Sequence, residues 1–314
     1  MGKLRFYGIY LQSCLFFVSG AVATAQQPEH EFSFHAAGGL STLSYATSAG
    51  KPSDGYGGSL GLGYTYYYYK NWGAVTGLDV ALFTAQTSGV NVWDSYRTVD
   101  RDLSFFDFRS RVENSREKQT VVYLQIPLML QYEDMFGEKY GWYCAAGTKV
   151  GFPLKSAYRA GVATLTTSGY YEREDWEYTD QTFVGFGTFS GEGEGRLDFK
   201  IIVLASIETG MKWQFENHWF LYAGVYCDYG VDNLLRRKRN THLTEYDVHQ
   251  LMEYNEGRSP AYRLNSILTS YNAQGVFTDK ATLLSVGGKI KISFGLGKAT
   301  GAVRWKPGWK PTRR

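Results

Sequence analysis

Hydrophobic and polar side chains alternate along residues 120–132. The even-numbered residues after Thr120 are apolar or aromatic, whereas Gln125 and Gln131 fall among the odd-numbered ones. A period of two predicts a β-strand, because successive side chains of a strand point to opposite faces of its sheet. The pattern alone fits both a strand of a soluble sandwich and a strand of a membrane-spanning wall, so the other segments must decide.

Seven further segments alternate in the same way, which predicts about eight antiparallel strands. The connections between them are alternately long and short, an asymmetry typical of membrane-spanning barrels with short turns at one end and long loops at the other. Residues 87–119, 156–198 and 232–282 are the long charged connections that this division predicts. The predicted strands cover residues 31–45, 59–69, 74–86, 120–132, 140–155, 199–215, 219–231 and 283–297.

Charged residues occupy the polar face of these strands, opposite apolar neighbours. A lysine near the middle of a bilayer costs about 2–4 kcal/mol, so we expect these side chains to point inward and to pair with one another. A barrel of about eight strands is just wide enough to be filled by such side chains. Structural pairing is the preferred interpretation, and an ion pathway or gate is the alternative. The predicted lumen charge network comprises Asp79, Lys149, Glu208, Lys212, Asp228, Lys289 and Lys291.

Aromatic residues gather beside the short turns of the predicted barrel. Amphipathic rings favour the boundary between membrane and water, so this grouping indicates a girdle at the periplasmic end. The predicted periplasmic aromatic girdle comprises Tyr66, Tyr68, Trp72, Tyr132, Trp142, Trp213 and Trp219.

Pro127 lies within the first segment and raises a specific question. Proline lacks the N–H that a strand donates to its neighbour, and a closed barrel has no free edge where that loss would be harmless. We therefore expect a local bulge or an unpaired neighbouring carbonyl at Pro127, facing the polar interior.

Composition supports a β-rich chain. The 314 residues are 17% aromatic and include 36 glycines but only 7 prolines, which suits many strands and turns. The net charge is only +3 and its signs are interspersed, so it gives no argument for nucleic-acid binding.

The chain begins with the features of a secretory signal peptide. Lys3 and Arg5 precede a largely apolar run, and Ala23-Thr24-Ala25 forms a small-x-small cleavage site. Beyond it there is no apolar run of about 18 residues, so no transmembrane helix is expected. We divide the chain into a signal peptide at residues 1–25, a β-barrel at residues 26–297 and a basic tail at residues 298–314.

The sequence offers little catalytic chemistry. Its five histidines fall in no recognisable catalytic motif, and Cys144 and Cys227 lack metal-ligand spacing and are expected to serve as small apolar residues. No catalytic, cofactor-binding or metal-binding residue is predicted. The long connections carry most of the charge, either as a solvated surface or as a binding surface. Their most basic run, the predicted extracellular basic patch, comprises Arg236, Arg237, Lys238 and Arg239.

Several strands resemble those of outer-membrane β-barrel proteins of the porin-like or OmpA-N-terminal-like type, including PorT-like members. The resemblance spans essentially the whole chain after the signal peptide and implies recognition by the barrel-assembly machinery. Some such proteins continue into a periplasmic domain, for which residues 298–314 are too short. The segments that resemble the family are residues 123–128 (YLQIPL), 147–151 (GTKVG), 208–213 (ETGMKW), 221–226 (LYAGVY) and 287–295 (GGKIKISFG).

We therefore expect an all-β, transmembrane, antiparallel up-and-down barrel of about eight strands, with long extracellular loops, short periplasmic turns and both termini in the periplasm. The expected location is the outer membrane of a Gram-negative-type envelope. The predicted role is structural or interaction-based, with a narrow pore or transport component as first alternative and an outer-membrane enzyme as second. Expected partners are outer-membrane lipid and lipopolysaccharide, the barrel-assembly machinery and an envelope or secretion protein.

Overall fold

The computed structural model describes residues 28–136, 139–216, 218–236, 241–247 and 262–297. Within these residues the chain forms strands and one short 3-10 turn at Thr182–Val184. No helix among them is long and apolar enough to cross a membrane. In chain order the strands are β1 (His30–Tyr45), β2 (Lys51–Asp54), β3 (Tyr56–Tyr69), β4 (Trp72–Val99), β5 (Phe105–Met135), β6 (Tyr140–Tyr171), β7 (Trp176–Tyr178), β8 (Gly187–Arg196), β9 (Ile202–Glu216), β10 (Trp219–Gly230), β11 (Thr241–His242), β12 (Thr244–Tyr246), β13 (Tyr262–Leu264), β14 (Ser270–Asn272), β15 (Gly275–Val276) and β16 (Ala281–Leu296).

Eight of these strands close into a ring, as the sequence pattern predicted. Each strand pairs antiparallel with the ring strand before and after it in sequence, in the order β1, β3, β4, β5, β6, β9, β10 and β16. The ring closes where β16 pairs with β1 along its full length, from His30 opposite Leu296 to Tyr45 opposite Ala281. The ring is therefore an up-and-down β-barrel that has no free edge among its eight strands.

The two ends of the ring differ in their connections. The β3–β4, β5–β6 and β9–β10 turns lie at one end, together with the start of β1 and the end of β16. All longer connections lie at the opposite end, where β2, β7 and β8 pair with extensions of β4 and β6. We call these the short-turn end and the long-connection end.

Strands β4, β5 and β6 extend far beyond their predicted limits. Residues 87–119 form strand almost throughout, and residues 156–198 include the upper part of β6 with β7 and β8 paired to it. The predicted limits were wrong because they required an outward apolar face. Beyond those limits the alternation continues, but with the two faces exchanged.

This exchange of faces is clearest along β5. Near the short-turn end, Leu128 and Leu130 are exposed on the outside while Gln125 and Gln131 are buried inside. Further up the same strand the outside carries Lys118, and Val112 and Phe108 are buried within. The barrel therefore has a lower part with an apolar exterior and an upper part with a polar exterior. We call the lower exterior the apolar band; it includes Phe34, Leu62, Leu78, Leu128, Ile207, Val225 and Ile290.

Pro127 causes no bulge, so the first of the two expected outcomes was wrong. Pairing with β6 is regular across Pro127, and the register shift on that side lies between Val122 and Tyr123. Pairing with β4 passes from Leu128 to Gln125 without a change of register but with no pair at Pro127 or Ile126. The missing N–H thus interrupts one ladder locally, while the other holds the strand in place.

Gly39 lies in β1 where that strand pairs with β16 and closes the ring. We call this β1–β16 contact the seam, and a substitution of Gly39 tests how closely its two strands approach. A Cβ at Gly39 would collide with the carbonyl oxygen of Val286 and approach the Cα of Gly287 to 2.7 Å. We expect Gly39→Ala to lower the free energy of unfolding by about 1–3 kcal/mol, because backbone atoms must move. Gly161→Ala is the control, since its Cβ would meet nothing within 4 Å. Equal urea midpoints for both variants would contradict a tight seam.

Candidate functional site

The ammonium group of Lys212 lies between two carboxylates near the short-turn end of the lumen. Its Nζ donates to Glu133 Oε2 at 2.6 Å and to Glu31 Oε2 at 3.4 Å. All three side chains are at most 1% exposed. Because β9, β5 and β1 are not neighbours in the ring, this contact crosses the lumen. We call these three residues the ionic bridge.

Two tyrosine hydroxyls complete the hydrogen bonding of the ionic bridge. Tyr222 Oη lies 2.7 Å from Glu31 Oε1 and 2.9 Å from Glu133 Oε1. Tyr67 Oη contacts Glu133 Oε1 and lies 3.3 Å from Glu31 Oε2. A buried carboxylate is costly unless its oxygens are paired and hydrogen-bonded, so these contacts offset the desolvation of both acids.

Aromatic rings surround the ammonium groups. Lys212 Nζ lies 4.2 Å from the centroid of the Phe220 ring, and Lys291 Nζ lies 3.8 Å from that of Tyr222. Lys291 Nζ also donates to Gln131 Oε1 at 3.3 Å. A desolvated cation over a ring face gains roughly 2 kcal/mol, so the rings hold these lysines in an otherwise closed lumen.

Three more charge contacts lie nearer the middle of the lumen. Within the described residues the lower lumen therefore holds five carboxylates and four ammonium groups, and His35 adds a positive charge when it is protonated. The acids and bases nearly balance, as expected where no water can screen them. The three contacts are Lys149–Asp228 at 2.8 Å, Lys289–Glu208 at 2.6 Å and His35–Asp79 at 2.9 Å.

Little free space remains among these side chains. A cavity of about 20 Å³ is bordered by Asp79, Pro127, Lys149 and Glu208. This volume holds about one water molecule. The lower lumen is thus filled by its own side chains.

All seven residues of the predicted lumen charge network lie on the inner face, in the contacts just described. Sequence reasoning missed Glu31 and Glu133, although both follow the inward parity. Glu31 precedes Ser33 and His35 on the same face, and Glu133 follows Gln131. Glu133 was assigned to a turn because the strand was ended at Tyr132, whereas β5 continues to Met135.

The residues of the predicted aromatic girdle lie on the outside near the short-turn end. Tyr66 stacks on His30 with centroids 5.4 Å apart, and Tyr68 is exposed. The others make edge-to-face and tilted ring contacts in three separate groups around part of the barrel, and both geometries are favourable for aromatic pairs. These contacts are Trp72–Tyr132 at 5.1 Å, Tyr132–Trp142 at 5.7 Å, Tyr140–Trp213 at 6.4 Å, Phe215–Trp219 at 6.4 Å and Trp219–Phe294 at 5.2 Å.

The connection between β10 and β16 folds back into the upper barrel. We call its described parts, residues 231–236, 241–247 and 262–280, the plug. Leu234 and Leu268 join an apolar cluster with Phe83, Val121 and other wall residues. Ile267 and Phe277 belong to a second cluster with upper wall residues. Burial of apolar surface thus closes the upper lumen, where ion pairs close the lower one.

Glu117 of β5 anchors the plug. Its Oε2 accepts the backbone N–H of Ile267 at 2.9 Å, and its Oε1 accepts the Ser266 hydroxyl and the Gln119 amide. The carboxyl is 1% exposed and lies five residues above Val122, where the outward apolar run of β5 ends. Burial raises the pKa of the Glu117 carboxyl, and the three hydrogen bonds oppose that shift.

A second anchor involves His242 of the plug. Its Nδ1 lies 2.7 Å from Asp94 Oδ2, and its Nε2 lies 3.1 Å from Tyr271 Oη. The imidazole ring stacks on Tyr96 with centroids 3.8 Å apart. A carboxylate, a histidine and a hydroxyl thus lie in line, as they do in some catalytic sites. Here the three residues link plug strands β11 and β14 to β4 and fix the plug in place.

The remaining predictions have different outcomes. Arg236 is exposed and pairs with Asp198 at 3.6 Å, whereas Arg237, Lys238 and Arg239 lie outside the described residues. The signal peptide and the basic tail also lie outside them. Cys144 and Cys227 are both free. In the described part of the chain, no group of three or more His, Cys, Asp or Glu side chains is placed to hold a metal ion.

Comparison with known families gives one match. Residues 24–236 match the family model described as outer membrane protein beta-barrel domain. No curated protein sequence matches the chain significantly.

Two similar solved structures share 10% identity with the chain, and each alignment covers 84% of it. Neisserial surface protein A, NspA, is covered over 96% of its chain with a TM-score of 0.27. Ail, the attachment invasion locus protein of Yersinia pestis, was solved in complex with the heparin analogue sucrose octasulfate. It is covered over 99% of its chain with a TM-score of 0.23.

Removing the central cation tests the ionic bridge. We expect Lys212→Met to lower the free energy of unfolding by about 3–5 kcal/mol, because Glu31 and Glu133 would remain buried without it. Adding Glu133→Gln should recover part of that loss, while Lys51→Met, an exposed control, should change stability by at most about 0.5 kcal/mol. Urea unfolding in lipid vesicles measures all three. A loss no larger for Lys212→Met than for Lys51→Met would contradict the bridge.

Glu117 makes the stability of the plug depend on pH. Its raised pKa means that the folded carboxyl keeps its proton at pH values where the unfolded one has lost it. Stability from Glu117 is therefore greatest below the ordinary carboxyl pKa and falls as pH rises toward the raised value. The thermal midpoint of the wild type should fall relative to Glu117→Gln as the pH rises above about 4, the ordinary pKa of a glutamate. A pH-independent difference would contradict this coupling.

Proposed function

This chain belongs to the outer membrane protein beta-barrel domain family, and from that membership we propose that it is a closed barrel whose role is structural or interaction-based. It is a protein of the outer membrane of a Gram-negative envelope. In such barrels the short turns lie in the periplasm and the longer connections outside the cell. We accordingly assign the long-connection end to the extracellular side.

The double closure of the lumen supports this role most strongly. The ionic bridge and its neighbours fill the lower lumen, where a cavity of about 20 Å³ remains. The plug fills the upper lumen with apolar side chains such as Leu234 and Ile267. A solute would have to displace both layers, one held by buried charges and the other by the hydrophobic effect.

The external part of the barrel is suited to presenting a surface. It consists of paired strands packed around the plug. Some of its outward charges are held in ion pairs between neighbouring segments. Arg97 pairs with Glu172 at 3.1 Å and Arg109 pairs with Glu177 at 2.8 Å. A surface fixed in this way loses little conformational entropy when a partner binds.

Other assignments complete the proposal. We propose that residues 1–25 are a cleaved signal peptide, that residues 26–297 form the barrel and that residues 298–314 are a basic periplasmic tail. We propose that the protein is not an enzyme, since the Asp94–His242–Tyr271 arrangement links the plug to the wall. Outer-membrane lipid with lipopolysaccharide, the barrel-assembly machinery and an envelope protein remain the proposed partners.

Conductance in planar bilayers tests the closed barrel directly. We expect the wild-type protein to give no steady single-channel steps, because both layers of the lumen must be displaced for water to pass. Deleting only residues 241–278 should leave the bilayer silent, since the ionic bridge remains. Steady unit currents from the wild type would replace the structural role with a narrow pore.

A further inference from the structure

A cluster of four cations lies on the outer face of β5, β6 and β8, immediately above the apolar band. At its centre is Ala157 of β6, which points outward and is partly exposed. Lys155 and Arg159 flank Ala157 on the same face of the strand, each about 7 Å away along the chain. We call Lys118, Lys155, Arg159 and Arg196 the basic cluster.

Strand register brings the other two cations to the same place. Arg196 of β8 is the direct partner of Ala157, and Lys118 of β5 is the direct partner of Arg159. Side chains directly opposite on paired strands have Cβ atoms about 5 Å apart. Four cationic side chains thus lie around Ala157, whose direct partner on β5 is Thr120. These two short side chains leave an open floor between the cations.

The basic cluster begins where the apolar band ends. The register shift between Val122 and Tyr123 leaves Leu154 as an extra residue of β6, so that Leu154 and Lys155 are both exposed. Leu154 continues the apolar band and Lys155 starts the charged exterior. This bulge therefore places a cation at the height of lipid headgroups, which lie directly above the hydrocarbon of the membrane.

Few carboxylates neutralise the cluster within the described residues. Glu194 pairs with Arg159 at 3.2 Å, and Asp198, which borders the cluster, pairs with Arg236 at 3.6 Å. No described carboxylate lies within ion-pair distance of Lys118, Lys155 or Arg196. An excess of positive charge thus faces outward at this height, and it attracts an anion.

A shallow groove continues upward from the cluster. It has a volume of about 510 Å³ and runs between β5, β6 and β8, bordered by Arg116 and Glu192. Its floor is formed by small residues, including Gly161, Ser190 and Gly191. Exposed backbone with a few polar side chains suits the hydroxyl groups of a sugar.

We propose that the basic cluster binds a phosphate group of a glycolipid in the outer leaflet of the membrane. The acyl chains of that lipid lie against the apolar band, its phosphate lies over Ala157 and its sugar extends into the groove. Lysine and arginine both bind phosphate through charge-assisted hydrogen bonds, and the arginine fork can hold two oxygens at once. This proposal rests on the extracellular assignment of the long-connection end made above and gives one proposed partner a binding site, but it does not depend on whether the lumen conducts.

The test measures binding of fluorescent lipid A that carries its phosphates, by protein in phosphatidylcholine nanodiscs. The triple variant Lys118→Gln, Lys155→Gln, Arg196→Gln should bind about tenfold more weakly or worse. The matched control is Arg97→Gln, Arg101→Gln, Arg173→Gln, which removes the same number of positive charges far above the band. It should bind within about twofold of the wild type. Equal losses in both variants, or none in either, would overturn the proposal.

A second variant distinguishes binding at this site from non-specific attraction by its net positive charge. Ala157→Phe keeps all four cations but fills the floor between them, so it should also lose about tenfold in affinity. Three competitors identify the ligand: dephosphorylated lipid A, phosphatidylglycerol and inorganic phosphate should each displace the probe poorly. Unimpaired binding by Ala157→Phe, or displacement by any one competitor as effective as by lipid A itself, would overturn the glycolipid assignment. Heat-modifiable gel mobility verifies that each variant is folded.

Discussion

Charges at the membrane level of this barrel must be neutralised inside it, because the outside of the wall is apolar. This constraint accounts for most of the side-chain contacts in the lower lumen. The ionic bridge pairs one ammonium with two carboxylates, tyrosine hydroxyls satisfy their remaining oxygens, and aromatic rings cover the cations. Buried ion pairs gain little stability over an apolar core but are costly to break. Here the buried charge contacts join each strand of the ring to a strand that is not its neighbour, and so fix the arrangement of the lumen.

The same strands meet two environments and exchange their faces between them. Below the bulge at Leu154 the exterior is apolar and the interior is charged; above it, cations such as Lys155 face outward and leucines of the plug fill the inside. The upper part is therefore organised like a water-soluble sheet packed on the plug, above a membrane-spanning barrel. Strands β4, β5 and β6 continue through both parts, since backbone pairing does not depend on which face is polar.

Sequence alone predicted the ring of about eight strands, their up-and-down arrangement and the inward position of the charges. These predictions rest on segments in which apolar and polar residues alternate with a period of two. The prediction failed where the alternation of apolar and polar residues continues but the polar side chains face outward. Residues 87–119 were assigned to a connection because their alternation has polar side chains outside. Glu133 was missed because the predicted strand ended at Tyr132, three residues before the end of β5. The ionic bridge and the plug depend on contacts across the ring, between residues as distant as Glu31 and Lys212, and the spacing of residues within one strand carries no information about them.

The ionic bridge also has a consequence for assembly. Its residues and their partners come from β1, β3, β5, β9, β10 and β16, and Tyr143 of β6 covers Lys291. An incomplete ring would leave Lys212 or its carboxylates without counterions. The network thus stabilises only the complete barrel. Because its contacts join residues far apart in the sequence, it favours slow, highly cooperative folding. Closure of the first strand on the last is the step at which these charges become compensated, so the barrel gains its stability late and all at once.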